Sequence, residues 1–352
     1  MPAIAKPFVC RTPLRSKIAA IYRAFTASPD NRRQNRSARR ALLDVTLHFG
    51  AHRTATTTFQ RMIGQSRGGL AAKGYAYWGP KRTRSDLFEG LIGPARPALS
   101  WVNRRQPHVS RRVTDALDGL AADGTRQLLV SEENMVGTLR HTLSHRCLYP
   151  DAGGRARRLA GTFGPHCRQL AFGIRSYDAW WASAVAFCVA RSGPVPSAQL
   201  SAALVDQPRR WRHVITELAA TFPDARICVW THEMMSARPE VLARALLGPD
   251  LPRLSGRRDW HNAAPTPAAL RSHLADMGQS SEGVIEQTGR FMPFNASQRR
   301  ALQAQYAEDI AWLRSGADGQ AIYIDDLGEA PGATGPGRGQ ANEGYAQNRR
   351  LA

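Results

Sequence analysis

LLDVTLHFGAHRTATTTFQRMI, residues 42–63, decides the fold. Leu43, Val45, Leu47 and Phe49 recur at every second position, the pattern of a buried strand. The pattern breaks at Gly50 into a short loop. Thr56, Thr57 and Thr58 then lead into Phe59, Gln60, Met62 and Ile63, which read as the start of a helix. Strand, tight loop and helix start together form a cradle for an anion. The first N–H groups of a helix lack intrahelical partners, and the helix dipole favours negative charge there. Arg53 adds a fixed positive charge to the same loop.

What the loop lacks narrows its ligand. Set against the triphosphate-binding pattern GxxxxGK[ST], Gly50 takes the first glycine, Ala55 the second and Thr57 the final hydroxyl. Thr56 then stands where a lysine would reach the β- and γ-phosphates. The only strong cation in the loop is Arg53, three positions earlier. The loop therefore suits a smaller anion on a 5′-phosphate better than a triphosphate with magnesium. With alanine at position 55, no strict need for positive φ is expected there.

A second segment reads RQLAFGIRSYDAWWASAVAFCVAR, residues 168–191. Gln169 to Ile174 has the composition of a buried strand, Arg175 marks its end, and Ser176 is placed to cap a helix. Ser183 follows Arg175 by eight positions. The plain alternative is a strand-capping arginine and a small residue at a helix contact.

These two segments resemble sulfotransferases that use 3′-phosphoadenosine 5′-phosphosulfate (PAPS). HFGAHRTATTTFQ is similar to that family's HxGxxKTGTTxLQ loop, which binds the 5′-phosphosulfate. By position, Gly50 opens the loop and Arg53 replaces the lysine that touches the bridging oxygen and the sulfuryl group. Thr54, Ala55, Thr56, Thr57 and Thr58 take the amide and hydroxyl positions, with alanine in place of a glycine. Arginine keeps the charge but does not readily give up a proton; it can still stabilise charge on the leaving phosphate. The resemblance assigns Arg175 and Ser183 to the cofactor's 3′-phosphate. Ser131, Glu133 and Asn134 in LLVSEENMVG, Glu233 after RICVWT, and Asn262 in DWHNAAPTP also align. NASQRRALQAQYAEDIAWL, residues 295–313, reads as a terminal amphipathic helix, with Asn295 and Gln298 as a capping box. The likeness spans residues 41–325, sharp in the two phosphate segments and looser between them.

Sulfuryl transfer needs a base for the acceptor hydroxyl and cations at the leaving phosphate. Glu133 is the expected base, with Glu132 as its rival because neighbouring strand-end residues point opposite ways. His48 reads as a packed histidine, and His52 as a residue that touches phosphate or solvent. The ten histidines and five cysteines show no paired ligand spacing, and no metal is expected. The cysteines are odd in number and scattered, which suits a reducing compartment; Cys188 and Cys228 lie in apolar segments as packed thiols.

Composition sets the rest. The net charge is +20, and residues 1–40 hold ten basic residues against one acid, Asp30. This arm lacks the apolar stretch of a signal peptide. It reads as a flexible segment suited to an anionic surface such as membrane, nucleic acid or glycan. Residues 329–352, rich in Gly, Ala, Pro and Gln, read as a disordered tail. No apolar run is long enough for a membrane span; Ala182 to Ala190 reads as a buried helix. The expectation is a three-layer α/β domain over residues 41–328 with a mainly parallel sheet, like the P-loop sulfotransferase fold. The resemblance implies a cytoplasmic or membrane-peripheral enzyme transferring sulfate from PAPS to a hydroxyl or amine. The basic surface favours an anionic glycan or lipid acceptor by steering. A P-loop kinase or NTPase is the first alternative. A nucleic-acid-binding protein is the second, and it is not expected, because no reader motif accompanies the charge.

Overall fold

The computed structural model describes residues 43–325 except 89, 94–100, 192–196, 256–262, 283 and 285–288. The basic arm, the C-terminal tail and Asn262 lie outside the described residues. Six strands form one sheet: β1 (Asp44–His48), β2 (Tyr75–Trp78), β3 (Gln127–Ser131), β4 (Cys167–Ile174), β5 (Arg226–Thr231) and β6 (Ile322–Tyr323). Their order is β2-β3-β1-β4-β5-β6. Every pairing is parallel, so the sheet is wholly rather than mainly parallel.

Side chains alternate across the sheet, and both faces are covered. Val45, Leu47, Leu128, Val130, Leu170, Phe172 and Val229 belong to one apolar layer. It contains residues of α2 (Trp101–Ala122), α3 (Ala152–Phe163), α4 (Tyr177–Val189), α5 (Trp211–Thr221) and α7 (Ala296–Arg314). Leu129, Ala171, Cys228 and Trp230 point the other way and join residues of α1 (Thr56–Gln65) and α6 (Pro239–Leu247). The result is a three-layer α/β fold. Helix α4 is apolar on nearly every side and correspondingly buried. Among the described residues, no helix is long and apolar enough to cross a membrane.

Helix ends follow the sequence signals in part. Asn295 and Gln298 form the expected capping box of α7. Ser176 does occupy the N-cap of α4, but its side chain caps nothing. Its hydroxyl donates to the Asp178 carboxylate, and its backbone N–H donates to Glu233 Oε1 at 3.0 Å. Cys228 is packed as expected, whereas Cys188 is only half-buried; both are free thiols, as are Cys147 and Cys167.

Two features of this topology place the site. All strands run the same way, so the carboxyl ends of β1, β3, β4 and β5 share one edge. The chain also departs from β1 in both directions, to β3 on one side and β4 on the other. Open parallel sheets bind ligands at this edge, where the strand order reverses.

Candidate functional site

The segment after β1 forms the expected loop, and α1 begins at Thr56. Gly50 has φ 42°. A Cβ there would lie 2.7 Å from Thr56 Oγ1 and 2.9 Å from His48 Nε2, so the turn closes only over glycine. Thr54 and Thr56 both turn their hydroxyls back to the Ala51 carbonyl, which tightens the loop from within. Ala55, at the N-cap of α1, makes no side-chain capping bond.

Ala55 corrects the sequence reading. Its φ is 68°, in the left-handed region, as is that of Arg53 at 66°. The alanine thus takes the conformation that a glycine favours, at a cost of about 1 kcal/mol. Ala55→Gly should raise stability by no more than about 0.5 kcal/mol, glycine's larger unfolded entropy offsetting much of the relief. Urea unfolding measures it; a loss of stability would contradict the left-handed conformation.

The two segments expected to hold phosphate meet. Arg53 Nε donates to Ser183 Oγ at 2.9 Å, and Arg175 Nη1 donates to the Arg53 carbonyl at 3.0 Å. The Arg53 guanidinium also lies over the Phe187 ring, 5.2 Å from its centroid. Arg175 is only 9% exposed, yet its buried Nε has no partner among the described residues. A buried guanidinium N–H without an acceptor is costly, and an anion would supply one. Burial lowers the Arg175 pKa, Glu233 opposing and Arg290 adding to the effect.

His232 joins this cluster, and sequence reasoning missed it. It follows β5 directly and hydrogen-bonds the Thr54 backbone. Burial, then the charge of Arg175, holds the imidazole down at about 3, and its Nδ1 has no partner among the described residues. Its only signal in the sequence is its place at a strand end. Glu233, which did align with the family, accepts from Ser176 N–H and from the Tyr306 hydroxyl at 3.1 Å, a structural role.

A second cluster lies across His52. The His52 backbone N–H donates to the Tyr149 hydroxyl at 2.9 Å. That hydroxyl is also 2.9 Å from Nδ1, and Nε2 is 3.3 Å from Asn134 Oδ1. One tautomer satisfies all three: Tyr149 donates to Nδ1, and Nε2–H donates to Asn134. Burial lowers the pKa of His52, with Glu133 opposing. Trp180 Nε1 fixes the backbone by donating to the His52 carbonyl at 2.7 Å.

The adjacent glutamates have opposite surroundings. Glu132 is fully buried. It accepts from the Thr83 hydroxyl, from Arg84 Nε and Nη2, and from the Asn134 backbone and side chain. Five donors exhaust the roughly four lone-pair directions of a carboxylate, leaving none for an acceptor hydroxyl. Glu133 is part-exposed and accepts from Gln60 at 3.1 Å and from Arg84 Nη2 at 2.9 Å. Burial alone would raise its pKa; His52, a backbone hydrogen bond, Arg84 and Gln60 outweigh it and hold the carboxyl below its ordinary value. Glu133 faces an open cleft of about 480 Å³ together with Thr57, Gln60 and Arg84.

His48 is packed, as expected, 1% exposed between Phe59 and Trp230. Gln60 donates to Ser131 Oγ, and Ser131 Oγ lies 2.8 Å from His48 Nδ1. Burial holds His48 down at about 4, against the pull of Glu133. The unfolded chain therefore takes up a proton near 6.5 that the folded chain refuses until about pH 4. Stability is unaffected by this group above pH 6.5 and declines as the pH falls toward 4. The loss reaches about 2–3 kcal/mol by pH 4.5, since each tenfold difference in proton affinity between the two states is worth about 1.4 kcal/mol. Urea unfolding at pH 7 and 4.5 should show a smaller loss in His48→Asn than in the wild type; equal losses would contradict the buried neutral imidazole.

Fold and site together define a parallel α/β protein with a strand–loop–helix turn at the carboxyl edge of its sheet and a buried arginine beside it. The chain matches no protein-family model and no curated protein. Among solved structures it is similar to FtsY from Mycoplasma mycoides in two crystal structures. Each has 11% identity over 82% of this chain, covering 75% and 74% of FtsY, with TM-scores of 0.24 and 0.22. Likeness at that level carries no argument about fold or function.

Proposed function

We propose that the protein moves a sulfuryl group from PAPS to an acceptor hydroxyl or amine. One observation carries the reading. Two segments that separately resemble the 5′- and 3′-phosphate sites of PAPS-dependent enzymes come together, Arg53 on Ser183 and Arg175 on the Arg53 backbone. The residues suit a doubly phosphorylated nucleotide: a helix N-terminus whose N-cap alanine makes no side-chain capping bond, a loop closed tightly over Gly50, and a buried Arg175 Nε with no partner among the described residues. The P-loop kinase reading lacks its lysine, because position 56 is threonine.

When bound, PAPS would supply the sulfuryl group, with the electrons of the broken S–O bond passing to the 5′-phosphate of the departing 3′-phosphoadenosine 5′-phosphate. The backbone amides of Thr54 to Thr58 cradle the 5′-phosphosulfate, the hydroxyls of Thr54 and Thr56 being turned inward to Ala51. Arg53 neutralises the charge that develops on the leaving oxygen. Arg175 and Ser183 hold the 3′-phosphate through charge-assisted hydrogen bonds. Glu133 takes the acceptor's proton. Its depressed pKa makes it a weak base toward a free hydroxyl, so the transfer belongs late in the attack, when the oxygen has become acidic.

Calorimetric titration tests the reading. 3′-Phosphoadenosine 5′-phosphate should bind at least about 10-fold more tightly than ADP, one charge-assisted contact being worth about 1.5–3 kcal/mol. Arg175→Ala should erase that difference. Equal affinities in the wild type would remove the reason for assigning a 3′-phosphate site, and tightest binding of ATP with magnesium would return the protein to the kinase reading.

A further inference from the structure

The cleft in front of Glu133 has a composition that sulfuryl transfer alone does not require. One wall is the outer face of α1, with Arg61, and the start of the short helix Arg67–Ala71, with Arg67. The other is the end of β2 and the short helix Pro80–Thr83, with Lys81 and then Arg84. Four cations thus line the cleft against one carboxylate, Glu133 at its inner end. Arg61, Arg67 and Lys81 are exposed, and Arg84 is 49% exposed while bridging Glu132 and Glu133. Thr57, Gln60 and Gln65 add polar side chains, and among the described residues no aliphatic side chain larger than proline lines the cleft, which suits a hydrated ligand better than an aliphatic one.

Two further details point to a bound molecule. The Tyr77 hydroxyl lies in the cleft lining, buried, with no hydrogen-bond partner among the described residues. A Cβ on Gly79 would sit 2.3 Å from that hydroxyl, so only glycine leaves room for the tyrosine tip beneath the cleft wall. Arg67 stacks over the Tyr77 ring at 5.3 Å from the centroid, which keeps that guanidinium at the cleft wall. Thr57, second residue of α1, lines the same cleft. The cleft therefore adjoins the phosphate loop at the end where Glu133 stands.

We propose that this cleft seats an acidic saccharide, its carboxylates or sulfates on Arg61, Arg67 and Lys81 and one sugar hydroxyl directed to Glu133. The inference rests on the reading of the protein as a sulfotransferase and names its acceptor class. Guanidinium groups match carboxylate and sulfate oxygens in pairs, and a saccharide carries its reactive hydroxyls a few ångströms from such groups. Tyr77 supplies a hydroxyl for a ring oxygen or hydroxyl of the sugar.

The test uses an unsulfated hexasaccharide of alternating uronic acid and N-acetylhexosamine, titrated into the full-length protein with and without 3′-phosphoadenosine 5′-phosphate. Arg67→Glu with Lys81→Glu reverses two exposed cleft charges. Arg111→Glu with Arg112→Glu reverses two exposed charges on α2 and controls for net charge. The cleft variant should bind the hexasaccharide at least about 10-fold more weakly and the control less than about threefold, with nucleotide affinity unchanged in both. Tyr77→Phe should weaken the saccharide several-fold and leave the nucleotide alone. Absence of hexasaccharide binding, or an equal loss in the control, overturns the proposal. So do phosphatidylglycerol vesicles that bind the cleft in place of the sugar. Nucleotide binding without saccharide binding sinks this inference and leaves sulfuryl transfer standing; saccharide binding without nucleotide binding removes the acceptor role together with that reading.

Discussion

Arg53→Ala should lower the rate of sulfuryl transfer by about 10²–10³-fold, the usual worth of one group that stabilises developing negative charge in a water-poor site. The structure makes the variant interpretable. Arg175 holds the Arg53 carbonyl, not its side chain, so the bond that ties β4 to the loop survives truncation. Ser183 loses its Arg53 partner and is left to the nucleotide. Affinity for 3′-phosphoadenosine 5′-phosphate should accordingly fall less than the rate. Arg53→Lys should keep much of the activity, since the charge is retained and lysine fills this position in the proteins the loop resembles. Single-turnover transfer from PAPS gives the measurement. An alanine variant with normal turnover would show that the loop does not hold the reacting group.

Glu133→Gln should slow transfer by about 10²-fold or more while leaving nucleotide binding nearly unchanged, because the side chain keeps its shape and loses its basicity. Its neighbour should behave differently. Glu132 is buried under five donors, two of them guanidinium nitrogens. Glu132→Gln would turn an amide N–H₂ toward groups that already donate. Breaking a buried pair costs about 3–5 kcal/mol, and the half-exposed Arg84 reduces this to about 2 kcal/mol. The expected pattern is thus a slow, stable Glu133 variant beside a Glu132 variant whose first symptom is a lowered melting temperature. A fast Glu133 variant would move the proton to another group, with His52 next, since its ring lies between Asn134 and Tyr149 beside the loop. Poor nucleotide binding by both variants would make the segment structural.

Some of this was legible from residue order alone. The period-two apolar run before Gly50, the threonines after it, and the strand-to-helix step at Arg175 are local signals. Strand propensity and helix termini act over a few residues. The capping box at Asn295 and the buried character of α4 are local in the same sense, and both hold in the folded chain. The alternation at the end of β3 also separated Glu132 from Glu133, though it did not say which was locked.

Other features depend on which strands lie side by side. Arg53 meets Ser183 and Arg175 because β1 pairs with β4, His48 opposite Ala171, an arrangement of the whole sheet that no short window of sequence encodes. His232 reaches the loop because β5 lies next to β4. Arg84 reaches both glutamates because β2 ends beside β3, Trp78 opposite Val130. Ala55 shows the converse. Its own preference opposes a left-handed φ, yet the closure of the loop imposes one. Residue types and their spacing therefore determined the strands, the cradle and its order along the chain. Tertiary structure decided which cations converge, which glutamate stays accessible and which residue is strained, because long-range pairing outweighs local preferences of about 1 kcal/mol.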